Sequence, residues 1–265
     1  MTTVFTKAVG KAYRKGKRLV TQTGLYDLGY RLMNWRKESF VCPVCCYSGP
    51  FKDQFTPDTI MGNSICPKCG SMERHRLQYL VMKTLGDQMD FSQMSILHFA
   101  PEQFFREPFS KWFGNYRTAD LNRTDVNCQI DLRDLPFEDS SFDCVYASHV
   151  LEHIKEDDRA LSEINRVLTP SGIAVLPVPI VSVTTIEYPK AYEYGHIRAP
   201  GPDYFEKYEK YFSKVKTFSS NDFPGKYQVF IYEDRTVWPT KDRPLAHPME
   251  GEKHVDIVPV CYASS

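Results

Sequence analysis

The sequence predicts an α/β fold built on parallel strands, preceded by a small metal-binding module. Two features predict it: residues 137–177 read as one strand–helix–strand unit, and four cysteines stand in two Cys-Pro-x-Cys pairs. A strand–helix–strand unit joins parallel strands through a right-handed crossover. Ligands of such sheets bind beyond the carboxyl ends of the strands, so functional residues are expected there.

The length and composition suit an intracellular globular protein. The 265 residues, 42% of them hydrophobic, allow one domain of about 150–200 residues and a smaller module. No apolar run reaches the roughly 18 residues that span a bilayer, and the N-terminus lacks the apolar core of a secretory signal. We therefore expect a cytoplasmic protein whose eight cysteines stay reduced and suit a metal better than disulfides.

Residues 1–38 form a basic N-terminal arm. Up to residue 37 the arm has nine Lys/Arg and one acid, a net charge of +8, and because the whole chain is neutral the rest carries −8. Nucleic acid, an anionic membrane or an acidic partner could each bind such an arm. The alternative is a solvated leader whose charge aids solubility.

The two cysteine pairs predict a zinc ribbon at residues 39–72. Each pair can turn two thiolates towards one ion, and together they complete the tetrahedral all-cysteine set of a structural zinc site. A ribbon this short needs the metal to fold, and four protein ligands leave no open position for chemistry. The predicted ligands are Cys42, Cys45, Cys66 and Cys69.

The residue after each pair differs. Gly70 follows the second pair, where a positive φ lets backbone N–H groups face the sulfurs. Cys46 stands at that place after the first pair. It is either a tolerated substitution or a spare thiol that competes as a ligand.

A helix is predicted directly after the ribbon, with Ser71 as its N-cap. Its apolar residues recur at helical spacing as far as Leu85. Residues 73–76 (Glu-Arg-His-Arg) crowd its first turn and either meet an anionic ligand or lie on a solvated face.

Short apolar runs then mark the strands, each bounded by turn residues. They lie at 95–99, 116–121, around 128–132, at 141–147 and from 173 onwards, with helices up to Trp112 and from Asp157 to Leu168. The runs 214–218 and 227–234 predict a closing antiparallel hairpin. Residues 236–265 are rich in proline and predict an irregular tail, with a short strand within 254–262.

The order of DLPF, SFD, VLEH and a helix ending in RVLxPxG resembles the second half of class I S-adenosylmethionine-dependent methyltransferases of type 11. CPxC…CPxCGSxERHR and ILHFAPE resemble bacterial members with an N-terminal zinc ribbon. The resemblance covers about residues 40–235. It implies a Rossmann-like, seven-stranded, mostly parallel sheet with a terminal antiparallel hairpin in a domain at 73–235. The chain departs from most class I members because it lacks the GxGxG loop.

The resemblance also implies which residues hold S-adenosylmethionine. Ala100 is small enough for close approach, Glu102 would receive the ammonium group, and Asp120 would accept the ribose hydroxyls, as acids do in dinucleotide folds. For Asp120 the alternative is a carboxylate that faces the loop. The implied cofactor set is Ala100, Pro101, Glu102, Asp120, Leu121, Asp131, Leu132 and Ser148.

Three histidines are the candidates for acid–base work. His149 is nearest the end of its strand and is the predicted base, His196 is the next candidate, and His153 either takes part or holds helix and loop together. Resemblance places the acceptor pocket after the fifth strand, where a surface loop with ordinary packing is the alternative. The predicted substrate-binding residues are Arg76, Tyr188, Tyr192, Tyr194 and Arg198.

The implied function is methyl transfer from S-adenosylmethionine to a small-molecule or sugar-type acceptor. An RNA methyltransferase that uses the ribbon and the basic arm is one alternative, because the arm could bind phosphates. A non-catalytic binding module, consistent with the missing glycine loop, is the other. The acidic main body favours the small-molecule acceptor.

Overall fold

The computed structural model describes residues 24–56 and 59–264. Most of the predicted basic arm lies in residues 1–23, outside the described part. Helix α1 (Gly24–Met33) opens the described part. It leads into two antiparallel strand pairs that form the small module: β1 (Phe40–Val41) with β2 (Ser48–Gly49), and β3 (Lys52–Phe55) with β4 (Ile60–Ile65).

A seven-stranded sheet follows and confirms the predicted fold class. Its strands are β5 (Ser95–Phe99), β6 (Asn115–Asp120), β7 (Cys128–Gln129), β8 (Phe142–Ala147), β9 (Leu168–Val175), β12 (Lys214–Ser219) and β15 (Ile257–Tyr262). The order across the sheet is β12-β15-β9-β8-β5-β6-β7. Strand β15 is antiparallel to both of its neighbours, whereas the pairs from β9 to β7 are parallel.

Three helices cover the sheet on its two faces. The side chains of β8 alternate between two apolar clusters, one on each face of the sheet, because successive side chains of a strand point to opposite faces. Val145 and Ala147 join the apolar cluster that contains the inner residues of α4 (Asp157–Val167). Cys144 and Tyr146 join the cluster of α2 (Glu73–Gly86) and α3 (Gln103–Trp112). Of the helices in the described ranges, none is both long and apolar enough to cross a membrane.

Two short strand pairs complete the described elements. Strand β10 (Ile186–Glu187) pairs with β11 (Arg198–Ala199), and β13 (Ile231–Tyr232) pairs with β14 (Lys253–His254).

The predicted closing hairpin was wrong in one strand. Residues 214–219 do form the edge strand, but their partner is β15, not residues 227–234. Gln228 has φ +46, which interrupts the extended backbone of 227–234, so that only the short β13 remains there. Strand β15 lies inside the sheet because Val258, Val260 and Cys261 are fully buried. The short strand expected within 254–262 is therefore a strand of the main sheet.

The predicted N-cap Ser71 was also wrong. Helix α2 begins at Glu73, and its N-cap is Met72, whose N–H donates to Nδ1 of His75 at 3.0 Å. The hydroxyl of Ser71 instead lies 3.2 Å from the sulfurs of Cys42 and Cys69. A helix cap depends on neighbouring residues, whereas Ser71 is engaged by a cluster that includes Cys42, 29 positions earlier in the chain. The local sequence pattern does not indicate such a contact.

Candidate functional site

The four predicted metal ligands come together in the small module. Their sulfur atoms all lie within 4.8 Å of one another, with Cys42 and Cys69 at 3.6 Å and Cys45 and Cys66 also at 3.6 Å. Thiolates bound at about 2.3 Å around a tetrahedral zinc ion are about 3.8 Å apart. The donor set and its spacing therefore fit a four-coordinate zinc ion.

The backbone around the cluster repeats in both pairs. The N–H of Cys46 donates to the carbonyl of Cys42 at 2.9 Å, and the N–H of Gly70 donates to the carbonyl of Cys66 at 2.8 Å. Cys46 and Gly70 both have a positive φ, at +59 and +80. Cys46 is exposed and lies outside the group of four sulfurs, so it occupies the glycine position as a tolerated substitution.

A cavity of about 600 Å³ opens beyond the carboxyl ends of β5 and β6. This is the edge at which ligands of parallel sheets bind. The predicted cofactor residues that line it are Ala100, Asp120, Leu121, Asp131 and Leu132. Ala100 has φ +48, so the chain turns sharply here without a glycine.

The two aspartates of this cavity are held differently. Oδ1 of Asp120 accepts from the N–H groups of Asn122 and Arg123, at 2.8 and 2.9 Å, which fixes the carboxylate at the strand end. Asp131 is clamped by the guanidinium of Arg133, with Nη2 at 2.6 Å from Oδ2. This hydrogen bond lowers the pKa of Asp131.

The other three predicted cofactor residues lie beside this cavity. Pro101 offers its carbonyl to Arg123, and Ser148 is buried with its hydroxyl 3.1 Å from Oε1 of Gln78 on α2. Glu102 is bound through Oε1 to Nε2 of His75 at 3.0 Å. Burial raises the pKa of Glu102, but the hydrogen bond from His75 and the charge of Arg74 outweigh burial, and the net pKa is lowered.

A second cavity, of about 610 Å³, adjoins the first, because His149 and His153 line both. Its walls come from six parts of the chain: the strands of the small module, the start of α2, the loop after β8, the segment after β9, the turn between β10 and β11, and the stretch from β13 to residue 256. Representative lining residues are Thr56, Met61, Arg74, Glu152, Tyr194, His196, Arg235, Trp238 and Asp256. The small module therefore forms one wall of this cavity.

His149 stands where the two cavities meet. It has φ +54, and its N–H donates to the carbonyl of Pro177 at 2.9 Å, which holds the loop after β8 against the segment that follows β9. Nδ1 of His149 lies 3.5 Å from Oε1 of Glu152. Burial lowers the pKa of His149 to about 3 and raises the pKa of Glu152 to about 8.

The two predicted substrate arginines are buried and donate hydrogen bonds to backbone carbonyls. Arg76 is fully buried and donates to the carbonyls of Ser64, Ser71, Tyr227 and Gln228. It binds the small module to the main domain and lines neither cavity, so its assignment as a substrate ligand is corrected. Arg198 is buried and donates to the carbonyls of residues 151 and 154. It thereby supports the loop that carries Glu152 and His153.

The three predicted substrate tyrosines divide between two places. Tyr194 lines the second cavity together with His196. Tyr188 lines a separate surface groove with Arg198, and its ring packs edge-on against Tyr192 at 4.7 Å between centroids. The structure therefore brings one of the three to the cavity that adjoins the cofactor cavity.

Several lining residues of the second cavity are absent from the sequence-based set. Glu152 stood inside the quoted VLEH motif, but its complete burial depends on the packing of other elements. Trp238 comes from the predicted irregular tail, Arg235 directly precedes that tail, and Asp256 lies in the short strand predicted within it. Charged residues that follow no periodic pattern along the sequence do not indicate a site before the chain is folded.

Comparison with known proteins identifies part of the chain. Residues 113–176 match the family model of a methyltransferase domain. This part of the chain is therefore similar to a methyltransferase domain. This confirms the resemblance drawn from the order of its motifs, and the matched residues run from β6 to β9 and include the loop with His149.

Curated relatives of the methyltransferase domain match over short segments. An uncharacterised 37.1 kDa protein of transposon TN4556 from Streptomyces fradiae is 40% identical over 73 residues, which is 28% of this chain and 21% of the relative. The sterol 4-C-methyltransferase strm-1 of Caenorhabditis elegans is 42% identical over 62 residues, or 22% and 18%. The demethylmenaquinone methyltransferase of Clavibacter sepedonicus is 32% identical over 135 residues, or 49% and 46%. The chain thus spans less than half the length of each.

Among solved structures, phosphoethanolamine N-methyltransferase 2 of Haemonchus contortus superposes with a TM-score of 0.46 at 17% identity. The match covers 71% of this chain and 53% of that protein.

Proposed function

We propose that the protein transfers a methyl group from S-adenosylmethionine to a small-molecule acceptor. The observation that carries the proposal is the junction of the two cavities: the first is lined by five of the eight predicted cofactor residues, and it shares His149 and His153 with the second. Methyl transfer needs donor and acceptor side by side and aligned, and positioning is most of what the protein supplies.

The residues that line the first cavity, together with Glu102 beside it, suit the proposed cofactor. Oε2 of Glu102 is buried and has no hydrogen-bond partner among the described residues, so it can accept from an ammonium group. Asp120 at the end of β6 would hold the ribose, and Leu121 and Leu132 would pack on the adenine. When bound, S-adenosylmethionine supplies a methyl group on a positively charged sulfur.

His149 is the residue we assign to proton transfer. Its position at the junction would place it next to the acceptor atom, and its lowered pKa keeps the imidazole neutral near pH 7. A neutral imidazole can take the proton that an oxygen or nitrogen nucleophile releases. His153 and His196 lie beside it, with ring centroids 4.7 Å apart.

The cysteine module would hold zinc as a structural ion. Its four thiol groups fill a tetrahedral set, so no open coordination position is left for chemistry. Its part in function is indirect: it forms a wall of the second cavity and precedes α2, whose first turn supports Glu102.

The acceptor class rests on the size and lining of the second cavity. About 610 Å³ is in the range of small-ligand pockets, and the lining mixes apolar and charged side chains. Two curated relatives, named for a sterol and for demethylmenaquinone, are also small-molecule methyltransferases by name. The RNA alternative depends on the basic arm, most of which lies outside the described residues.

Calorimetry with S-adenosylmethionine and with its demethylated product tests the proposal. The parent protein should bind both, and Asp120→Ala should weaken binding by about 2–3 kcal/mol because charge-assisted hydrogen bonds are lost. Asp139→Ala is the control, since Asp139 is exposed and pairs with Arg166 away from the cavity. A parent protein that binds neither compound would favour the non-catalytic module. If the parent protein binds both compounds, a screen of metabolites for methylated products would identify the acceptor.

A further inference from the structure

The second cavity contains a cluster of donors that the proposed methyl transfer does not by itself require. One carboxylate oxygen of Glu152 and one ring nitrogen each from His153 and His196 lie within 4.8 Å of one another. Nε2 of His153 is 3.8 Å from Oε1 of Glu152. Donors bound at about 2.0–2.2 Å to a single ion are about 3–4 Å apart, so a small side-chain adjustment brings all three onto one ion.

The burial of Glu152 is a second indication that these donors bind an ion. Glu152 is fully buried, and neither of its carboxylate oxygens has a hydrogen-bond partner among the described residues. A buried carboxylate without partners is costly, and such groups are usually paired or bound to a metal. Both imidazoles next to it can offer a nitrogen lone pair, which completes a mixed donor set.

The backbone holds the three donors in place before any ion binds. The carbonyl of Glu152 accepts from the N–H of Ile197 at 3.0 Å, which ties the loop after β8 to the segment that carries His196. Tyr194 and Gly195 both have positive φ, at +66 and +73, and form a tight turn that brings His196 back towards His153. Preorganised ligands reduce the ordering that metal binding must impose.

We propose that Glu152, His153 and His196 form a second metal site, which binds a divalent transition-metal ion such as Zn²⁺, Mn²⁺ or Fe²⁺. Two imidazoles and one carboxylate suit these ions, whereas Mg²⁺ and Ca²⁺ prefer oxygen ligands. Three protein ligands leave coordination positions open. Those positions face the second cavity, where an oxygen or nitrogen of the acceptor would fill one of them; this last step rests on the proposed function.

The two metal sites differ in donors, so cobalt distinguishes them. A cobalt ion bound by thiolates absorbs strongly through sulfur-to-metal charge transfer, whereas one bound by nitrogen and oxygen shows only weak visible bands. We expect the full chain, stripped of metal and titrated with Co²⁺, to take up two equivalents, one of each type. Direct metal analysis after zinc loading should also give two equivalents.

Two variants test the ligands separately. Glu152→Gln keeps the volume of the buried side chain and His196→Ala removes a partly exposed ring, and each should lose the weakly absorbing equivalent while the thiolate band remains. Loss of an outer partner of a metal ligand already weakens binding by about 10–100-fold, so loss of a ligand should cost at least 100-fold in affinity. His247→Ala is the control, because His247 is exposed and outside the cluster.

The outcomes separate this proposal from the proposed function. Uptake of a single equivalent by the parent protein, or two equivalents in both folded variants, would overturn the second metal site even if S-adenosylmethionine binds. Uptake of two equivalents by a protein that does not bind S-adenosylmethionine would uphold the site and reject the function. Circular dichroism of each variant shows that any lost equivalent is not due to unfolding.

Discussion

Nε2 of His75 lies 3.0 Å from Oε1 of Glu102, and this contact joins the helix after the cysteine module to the proposed cofactor cavity. Nδ1 of His75 accepts the N–H of Met72, so the ring proton is on Nε2 and is donated to Glu102. One imidazole thus caps α2 and orients the carboxylate. It leaves Oε2 of Glu102 without a partner among the described residues, and we propose that this oxygen accepts from the cofactor.

The first prediction concerns Glu102. Glu102→Gln keeps the shape of the side chain but removes the charge that would meet the ammonium group of S-adenosylmethionine. A charge-assisted hydrogen bond is worth about 1.5–3 kcal/mol, so calorimetry should show binding weakened by about 10–150-fold. Glu107→Gln on the following helix is the control, since Glu107 is exposed and pairs with Lys111. Equal affinities of the two variants would remove Glu102 from the cofactor site.

The second prediction concerns the cysteine cluster. Cys66→Ser removes one of four thiolates, so the variant should contain one equivalent of zinc fewer than the parent and melt at a lower temperature. Cys46→Ser is the matched control, because Cys46 is the neighbouring thiol that lies outside the cluster. Metal analysis and thermal melts compare the three proteins. A Cys66→Ser protein that lacks the ion but melts like the parent would contradict a structural ion.

Much of this fold could be predicted from the local pattern of apolar and turn residues in the sequence. The strand at 95–99 has the predicted bounds, and α4 ends within one residue of the predicted end, because apolar periodicity and turn residues are carried by neighbouring positions. The cluster of four cysteines was predictable for the same reason: each half is a tetrapeptide. The strand β15 was only partly anticipated, since its place inside the sheet depends on residues far away in the chain.

In the candidate site, too, some residues could be predicted from the local sequence and others depend on tertiary packing. Asp120 and His149 could be placed from sequence because Asp120 ends a strand and His149 closely follows one, and the carboxyl ends of parallel strands share one edge of the sheet. Arg76 could not, because four carbonyls from three separate segments surround its guanidinium group. The wall formed by Arg235, Trp238 and Asp256 is likewise a product of tertiary packing.

The third prediction separates two neighbouring arginines. Arg76→Met leaves several buried carbonyls without donors, at about 1–3 kcal/mol each, so the free energy of unfolding should fall by several kcal/mol in urea titrations. Arg74→Met should change that free energy little, because Arg74 is partly exposed and its nearest acid is 3.9 Å away. Arg74 lines the second cavity, so its variant should raise KM for the acceptor. An Arg76→Met protein of parental stability would restore Arg76 as a candidate substrate ligand.

The last prediction concerns His149. A general base contributes about 10²–10⁴-fold to turnover, so His149→Ala should lower kcat by that order on an identified acceptor. Affinity for S-adenosylmethionine should change little, because the predicted ribose and ammonium ligands are Asp120 and Glu102. His247→Ala serves as the control for loss of an exposed histidine. Full activity of folded His149→Ala would mean that the acceptor needs no base at this position, and His196, which also lines the second cavity, would be tested next.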